Sequence, residues 1–524
     1  MKSYKHDIVF VLRPSGFGEF VPFPEMALTA YVKSVGFKAS IIDPGPVIKH
    51  SFMLNQYSYD EYFKFVKKEV RRLKPRFIGM GTFTSDYDFV MKFAKDIKAF
   101  SDAKFIVGNI QATIMPEDFI FDGSPIDIAV SGEGELTLEE LLKAQDQNSD
   151  TLKKIHGLCF LDNDKKTSVR TSPRGLIRDL SILPMPAYED VDMDYYAAPK
   201  KRVIGFAYYS VVPVYTGRGC PFRCRFCAAG SVWGEKSVRE LSIDRTIAEI
   251  KLLVEKYGVD AIYIIDDTFT VQKSRVLEFC SKIKSVGVAW AAQTRVNCID
   301  EELIKAMKDA GCIQLTFGVE TGSQKLLNLM HKGSTNEQVK KAFALCKKYN
   351  IRTFANMMFN LPEEDEEDVK MSYEIYKEIH PDDFGVGLTV AYPGTEIYEE
   401  YFPQKLTKDE YHLLAEARGY SGGRFKLCKH NLNLNELLAD FRMNWHYQHI
   451  FPLFIRILFD TTYWKMILKS KHRSQYFSCI AHDLHTGLIR AGGTIIYNIL
   501  KPLPARVKTK IIKLATVYGR KFGN

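Results

Sequence analysis

Three cysteines fall within one short run, Thr216-Gly217-Arg218-Gly219-Cys220-Pro221-Phe222-Arg223-Cys224-Arg225-Phe226-Cys227. Thiolates held by x3 and x2 spacing on a single loop are iron–sulfur ligands by type, and a [4Fe–4S] cube presents four irons. Three protein ligands, Cys220, Cys224 and Cys227, leave one iron corner open to a small molecule. Arg218, Arg223 and Arg225 bring positive charge into the same loop, which favours thiolate over thiol. Structural zinc is the competing chemistry, but it asks for a fourth Cys or His at short spacing. The next cysteine after Cys227 is Cys280, and the remaining thiols are scattered singly.

Further along, polar residues recur at the ends of apolar runs. Asp266 and Asp267 close Ile264-Ile265, ahead of Thr268-Phe269, Gln293 and Arg295 follow a third run, and Glu320 lies in Gly318-Val319-Glu320-Thr321-Gly322. A carboxylate such as Glu320 suits ribose hydroxyls or an amino group, and Arg295 suits a carboxylate gripped by two parallel hydrogen bonds. Asp267 or Thr268 also suits a helix N-cap.

These residues need a scaffold that gathers strand ends, and the hydrophobic pattern predicts one. Strands are expected at 212–216, 261–265, 288–293, 313–319, 353–359 and 385–391, with helices at 244–257, 273–285, 300–309 and 335–348 between them. Six β/α units without a seventh predict a partial barrel, whose chemistry belongs at the carboxyl ends of the strands. Ahead of it, strands at 8–12, 38–42, 77–80, 104–107 and 126–130 alternate with helices at 25–35, 60–73 and 89–100. That is the pattern of a Rossmann-like, doubly wound α/β sheet. The expected division is residues 1–150 for this sheet, 151–205 for a connection, 206–405 for the barrel and 406–524 for a helical, basic C-terminal domain.

The CxxxCxxC motif after the first barrel strand, with Phe226 before its last cysteine, resembles the radical-SAM superfamily signature. The resemblance implies a [4Fe–4S] cluster whose open iron chelates S-adenosylmethionine (SAM). Reductive cleavage then gives a 5′-deoxyadenosyl radical, with electrons from an external donor such as flavodoxin or ferredoxin. It further implies SAM contacts at Phe226, Asp266, Asp267, Arg295 and Glu320. Asn360-Leu361-Pro362-Glu363 and Tyr392-Pro393-Gly394-Thr395 resemble additional family motifs. The N-terminal sheet is similar to that of the cobalamin-binding subfamily, which implies cofactor contacts at Ser15, Gly16, Thr82, Thr84, Gly108, Gly132 and Glu133. The C-terminal region loosely resembles the group containing the anaerobic porphyrin-ester cyclase and lipid-modifying methylases. The basic, aromatic C-terminus points to a small lipid-like or tetrapyrrole substrate, and the cobalamin-subfamily resemblance implies cobalamin-dependent methylation of an unactivated carbon. Oxidative cyclisation or rearrangement is the alternative, and a membrane-associated scaffold keeping a structural cluster is a third.

Composition sets the bounds. Of 524 residues, 46% are hydrophobic and 26% charged, which excludes wholesale disorder. From Phe451 onward thirteen Lys or Arg face only Asp460 and Asp483, so the net charge of +9 resides in the C-terminal region. Such a tail points to an anionic surface, with phospholipid ahead of nucleic acid, or to a solvated helical face. Phe451–Leu468 is the most apolar stretch, yet Arg456, Asp460 and Lys465 interrupt it, so it is expected to lie on a membrane surface or in a core rather than to span. With no secretory leader evident and no disulfide framework, the expected location is cytoplasmic, with peripheral membrane contact.

Overall fold

The computed structural model describes residues 4–14, 20–48, 58–144, 146–162, 164–200, 207–407, 410, 425–441 and 457–483. Strand β1 (His6–Val11) buries Ile8, Val9, Phe10 and Val11 in succession, as a parallel strand covered on both faces must. It lies between β2 (Ala39–Ile42) and β3 (Pro75–Gly81), and β4 (Lys104–Gly108) and β5 (Ile128–Val130) continue the parallel sheet. Alternation sorts the side chains. Val9, Val11 and Ile78 pack with Tyr62, Val66 and Phe93 from the helices Tyr59–Leu73 and Tyr87–Lys98. Ile8, Phe10 and Phe77 pack with Val32, Leu138 and Leu141 from Phe23–Ser34 and Gly134–Lys143 on the other face.

The sheet does not stop at residue 150. β6 (Leu158–Asp162) and β7 (Thr167–Arg170) add to it antiparallel beyond β5, giving the order β2-β1-β3-β4-β5-β6-β7. The stretch expected to be a connection therefore begins inside the first layer. β7 is mostly exposed, so its sequence carries little of the apolar alternation by which strands are recognised.

The second layer is a six-stranded parallel sheet. It runs β8 (Val211–Val214), β11 (Ala261–Ile264), β12 (Ala289–Thr294), β13 (Cys312–Glu320), β14 (Arg352–Phe359) and β15 (Asp383–Leu388) in spatial order. A short antiparallel ribbon, β9 (Gly217–Arg218) with β10 (Arg239–Glu240), brackets the cysteine loop. The crossover helices begin where side chains satisfy their first free N–H groups. Ser242 caps Ile243–Tyr257, and capping boxes of Thr335 with Gln338 and Asp365 with Asp368 open Asn336–Lys348 and Glu366–Ile379. Trp290 is wholly buried edge-on to Phe269 and Phe279, and its indole N–H donates to Ala310 O at 2.9 Å.

The two layers share a core. Leu326, Met330, Leu361, Ile397 and Tyr398, from short helices and loops that follow the barrel strands, belong to the same buried cluster as Val9, Val11 and Ile78. Residues through Asp460 form one compact unit and those from Thr461 a second, so the segment 425–441 belongs with the barrel rather than with a domain starting at 406. Within the second unit, Thr461–Lys469 is helical and a further helix covers 473–483. No helix among the described residues is long and apolar enough to cross a membrane.

Candidate active site

The cysteine loop leaves β8 through Thr216 and is fastened at its root by Asp266. This buried carboxylate accepts from Thr216 N at 2.6 Å, from the Thr216 hydroxyl and from Gly217 N at 3.3 Å. Arg275 supports the same corner, donating to Thr216 Oγ1 at 3.1 Å and Thr216 O at 3.0 Å. Burial pushes the Asp266 carboxyl up to about 6 against the pull of these donors. Asp266 was expected to contact SAM; both its oxygens are instead spent on the protein, which makes it a positioning residue. Gly219 follows at φ +103°, and any side chain there would collide with Ser237 O across the ribbon, so glycine is required.

The loop is then tied to the barrel at several points. Arg225 N donates to Met330 O at 3.0 Å, the Arg225 guanidinium donates to Leu329 O at 3.2 Å, and the same group pairs with Glu400. Ser231 Oγ donates to Gly394 O at 2.7 Å, and Trp233 Nε1 donates to Asp267 at 2.9 Å. Asp267, unlike its neighbour, is exposed at the mouth. The arginines of the loop were expected to offset thiolate charge. Arg218 and Arg225 turn to carboxylates, and Arg295 from the end of β12 takes the place beside sulfur. Its Nη1 lies 3.3 Å from Cys224 Sγ, and its guanidinium stacks 3.8 Å above the Phe222 ring. Cys220 Sγ lies 3.9 Å from Thr268 Oγ1, and Ala229 N donates to Cys227 Sγ at 3.5 Å.

Arg295 is buried, and its Nη2 has no hydrogen-bond partner among the described residues. A buried guanidinium donor left open beside a cluster of thiols is the signature of a missing anionic partner. Glu320 reaches the same end of the barrel from a kink in β13, at φ +67° where the pairing with β14 slips by a residue. It pairs with Lys332 at 2.5 Å, and Lys332 Nζ lies 5.8 Å from the centre of the Phe226 ring. The Glu320–Lys332 pair fills the space where a side chain at Gly318 would stand. Lys332, Phe222 and Trp233 carry no signal in the sequence, and Thr268, expected as a helix cap, lies beside Cys220 Sγ while Gln272 occupies the cap position. Lys332 sits in an ordinary turn after a short helix, with no spacing that would single it out.

In the N-terminal sheet the expected cofactor residues divide. Gly108 and Gly132 face open space where a side chain would stand. Thr82 and Thr84 are buried, with hydroxyls bonded to Phe83 O and Gln111 respectively, so neither is directed outward. Glu133 is fully engaged: it accepts from Arg218 Nη1 at 2.6 Å, from Arg239 Nη1 at 2.8 and 2.9 Å, and from Ile177 N at 2.7 Å. It was expected to touch cofactor and instead latches this sheet to the cysteine ribbon, with Glu135 pairing Arg218 at 2.6 Å. Ser15 and Gly16 lie outside the described residues. At the carboxyl ends of β1 and β2, a cavity of about 290 Å³ is lined by Arg13, Glu25, Asp43, Asn109 and Tyr196. Phe83, which follows β3, also lines it, so the cavity reaches the β1/β3 switch point of the doubly wound sheet, where ligands bind in such folds.

Residues 214–375 match the family model described as the radical SAM superfamily. An uncharacterised methyltransferase of Pyrococcus horikoshii is 33% identical over 344 residues, covering 65% of this chain and 72% of the relative. The chain belongs to the radical SAM superfamily. The anaerobic magnesium-protoporphyrin IX monomethyl ester cyclase of Rubrivivax gelatinosus is 27% identical over 393 residues, covering 73% of this chain and 66% of the cyclase. In fold, this radical SAM chain is similar to the radical SAM methyltransferase TsrM of Kitasatospora setae, with a TM-score of 0.62 at 18% identity over 76% of each chain.

The residues present fit the groups that membership implies. Cys220, Cys224 and Cys227 are free thiols of graded exposure on one pinned loop, which suits three-point ligation of a [4Fe–4S] cluster. The open Nη2 of Arg295 suits the carboxylate of SAM. For a corrin cofactor the fit rests on glycine space at Gly108 and Gly132 and on the cavity, not on Thr82, Thr84 or Glu133.

Proposed function

We propose that this radical SAM enzyme is a cobalamin-dependent methyltransferase acting on an unactivated carbon of a small lipid-like or tetrapyrrole substrate. The observation that carries the reading is the shared core and latch, which bring the ligand-binding edge of the N-terminal sheet against the mouth that bears the cysteine loop. TsrM, similar in fold, has been solved with cobalamin and a [4Fe–4S] cluster bound. When bound, the cluster with SAM supplies a carbon-centred radical and cobalamin supplies a methyl carrier.

The chain's own residues bind, orient and shield. Cys220, Cys224 and Cys227 would hold the cluster's iron, while Asp266 and Arg275 fix the root of their loop. Arg295 offers Nη2 to the SAM carboxylate and Nη1 to Cys224. Asp267, exposed at the mouth and steadied by Trp233, is the acidic partner for an amino group. Lys332 with Glu320 lies under Phe226, where an adenosine would stack. Cys227 is the exposed ligand, the side from which an external flavodoxin or ferredoxin would deliver electrons.

Oxidative cyclisation without methyl transfer is the second reading, supported by the 27% identity to the Rubrivivax cyclase. Anaerobic turnover with deuteromethyl-SAM and a strong reductant separates them. Methylation yields S-adenosylhomocysteine together with 5′-deoxyadenosine and a labelled product. 5′-Deoxyadenosine alone favours cyclisation, and no SAM cleavage at all defeats both.

A further inference from the structure

Exposed large apolar side chains concentrate in one short stretch of the chain. Among the described residues, Leu468 and Phe477 in the second unit are 55% and 45% exposed, and Leu458 and Phe459 just before it in sequence are 45% and 73% exposed. Among the described residues, two helices of that unit each have a buried and a solvent face. Tyr463 and Ile467 are buried on the first, and His472 and Tyr476 are buried at or near the start of the second. Lys465, Leu468 and Lys469 are exposed on the first helix, and Arg473 and Phe477, one helical turn apart, are exposed on the second. Among the described residues, Lys465, Lys469 and Arg473 have no ion-pair partner. From Thr461 to His482 the sequence contains no Asp or Glu at all, against four Lys or Arg.

A solvated helix face has no use for an exposed Leu and Phe, and a nucleic-acid surface has no use for them in place of more cations. Apolar side chains with basic neighbours on one face are what an interfacial helix needs: the apolar groups enter the acyl boundary while the lysine stems reach back to headgroup phosphates. We infer that the 461–483 helices form a peripheral docking surface for an anionic phospholipid bilayer, with Leu468 and Phe477 as the inserted residues and Lys465, Lys469 and Arg473 as the headgroup contacts. This surface lies outside the residues of the proposed methylation site, so the two readings stand or fall separately.

The test is co-sedimentation of the full-length, anaerobically reconstituted protein with phosphatidylcholine vesicles, with and without about 30% phosphatidylglycerol. Each basic residue near such a surface contributes about fivefold in partitioning. Binding is therefore expected to anionic vesicles only, to weaken about 25-fold in Lys465→Gln/Lys469→Gln, and to fall at least tenfold, by order of magnitude, in Leu468→Gln/Phe477→Gln. All these residues are exposed, so circular dichroism and SAM cleavage with a soluble reductant are expected to stay unchanged in both variants. No sedimentation with anionic vesicles, equal sedimentation of the Leu468/Phe477 variant, or binding to duplex DNA without binding to vesicles would overturn the assignment.

Discussion

Glu133→Gln is the perturbation that most sharply tests how the two layers are joined. The Glu133 side chain is 6% exposed and receives four hydrogen bonds, one from Arg218, two from Arg239 and one from Ile177 N. Glutamine keeps one oxygen and turns an N–H₂ group toward guanidinium donors. Arg239 is equally buried, and its Nε and Nη2 already lack partners, so nothing nearby takes up the exposed charge. Breaking one side of a buried pair costs about 3–5 kcal/mol, most of it the stranded charge. Arg218 is cushioned by Glu135, which keeps the estimate within that range. Urea unfolding followed by tryptophan fluorescence is a fitting assay because Trp233 lies 5.4 Å from the Arg239 guanidinium. The double variant Glu133→Leu/Arg239→Met removes both charges and is expected to recover to within about 1 kcal/mol of the parent. A cost below about 1 kcal/mol for Glu133→Gln, or a double variant no more stable than the single, would refute the latch.

Other expectations follow from the same geometry. Arg295→Lys loses the stacked, forked guanidinium and is expected to weaken SAM binding by about 30-fold or more in equilibrium dialysis, with iron content unchanged. Asp266 has its carboxyl raised to about 6, so its contribution to stability is fully present below pH ~4 and is lost as pH rises to about 6, on the order of 3 kcal/mol. Asp266→Asn is expected to flatten that part of the stability-versus-pH curve, measured by thermal unfolding. Asn360 bonds Thr389 O, Phe425 O, Leu427 N and Cys428 N, so Asn360→Ala is expected to cost about 3 kcal/mol and to expose residues 425–430 to proteolysis. Gly219→Ala is expected to halve iron uptake or worse, since the new side chain meets Ser237 O across the ribbon.

Much of this was legible in the sequence because it depends on period and spacing. Buried parallel strands such as Ile8–Val11 and Ala261–Ile264 are continuous apolar runs, and the cysteine triplet needs no tertiary information to be seen. What escaped depends on direction. Asp266 and Asp267 are adjacent and chemically identical, yet one turns into the loop root and the other to the mouth. Glu133 sits where cofactor contacts are expected, but its partners Arg218 and Arg239 come from another layer more than eighty residues away. Lys332 acquires its meaning only from Glu320, across a bulge that no local pattern announces. β7 carries no such signal because an exposed edge strand has weak alternation, whereas β6, Leu158–Asp162, is a short buried apolar run whose place in the sheet its flanking turns do not announce.

The account stands on three thiols sharing one cluster with an iron free for SAM. Its most direct measurement is electron paramagnetic resonance, with iron and sulfide analysis, of the anaerobically reconstituted and reduced protein before and after SAM is added. About four irons per chain are expected, with a reduced-cluster signal that changes shape on SAM binding and loss of both in Cys220→Ala, Cys224→Ala or Cys227→Ala. Zinc in place of iron, or a full iron count surviving in any one of those variants, would contradict it.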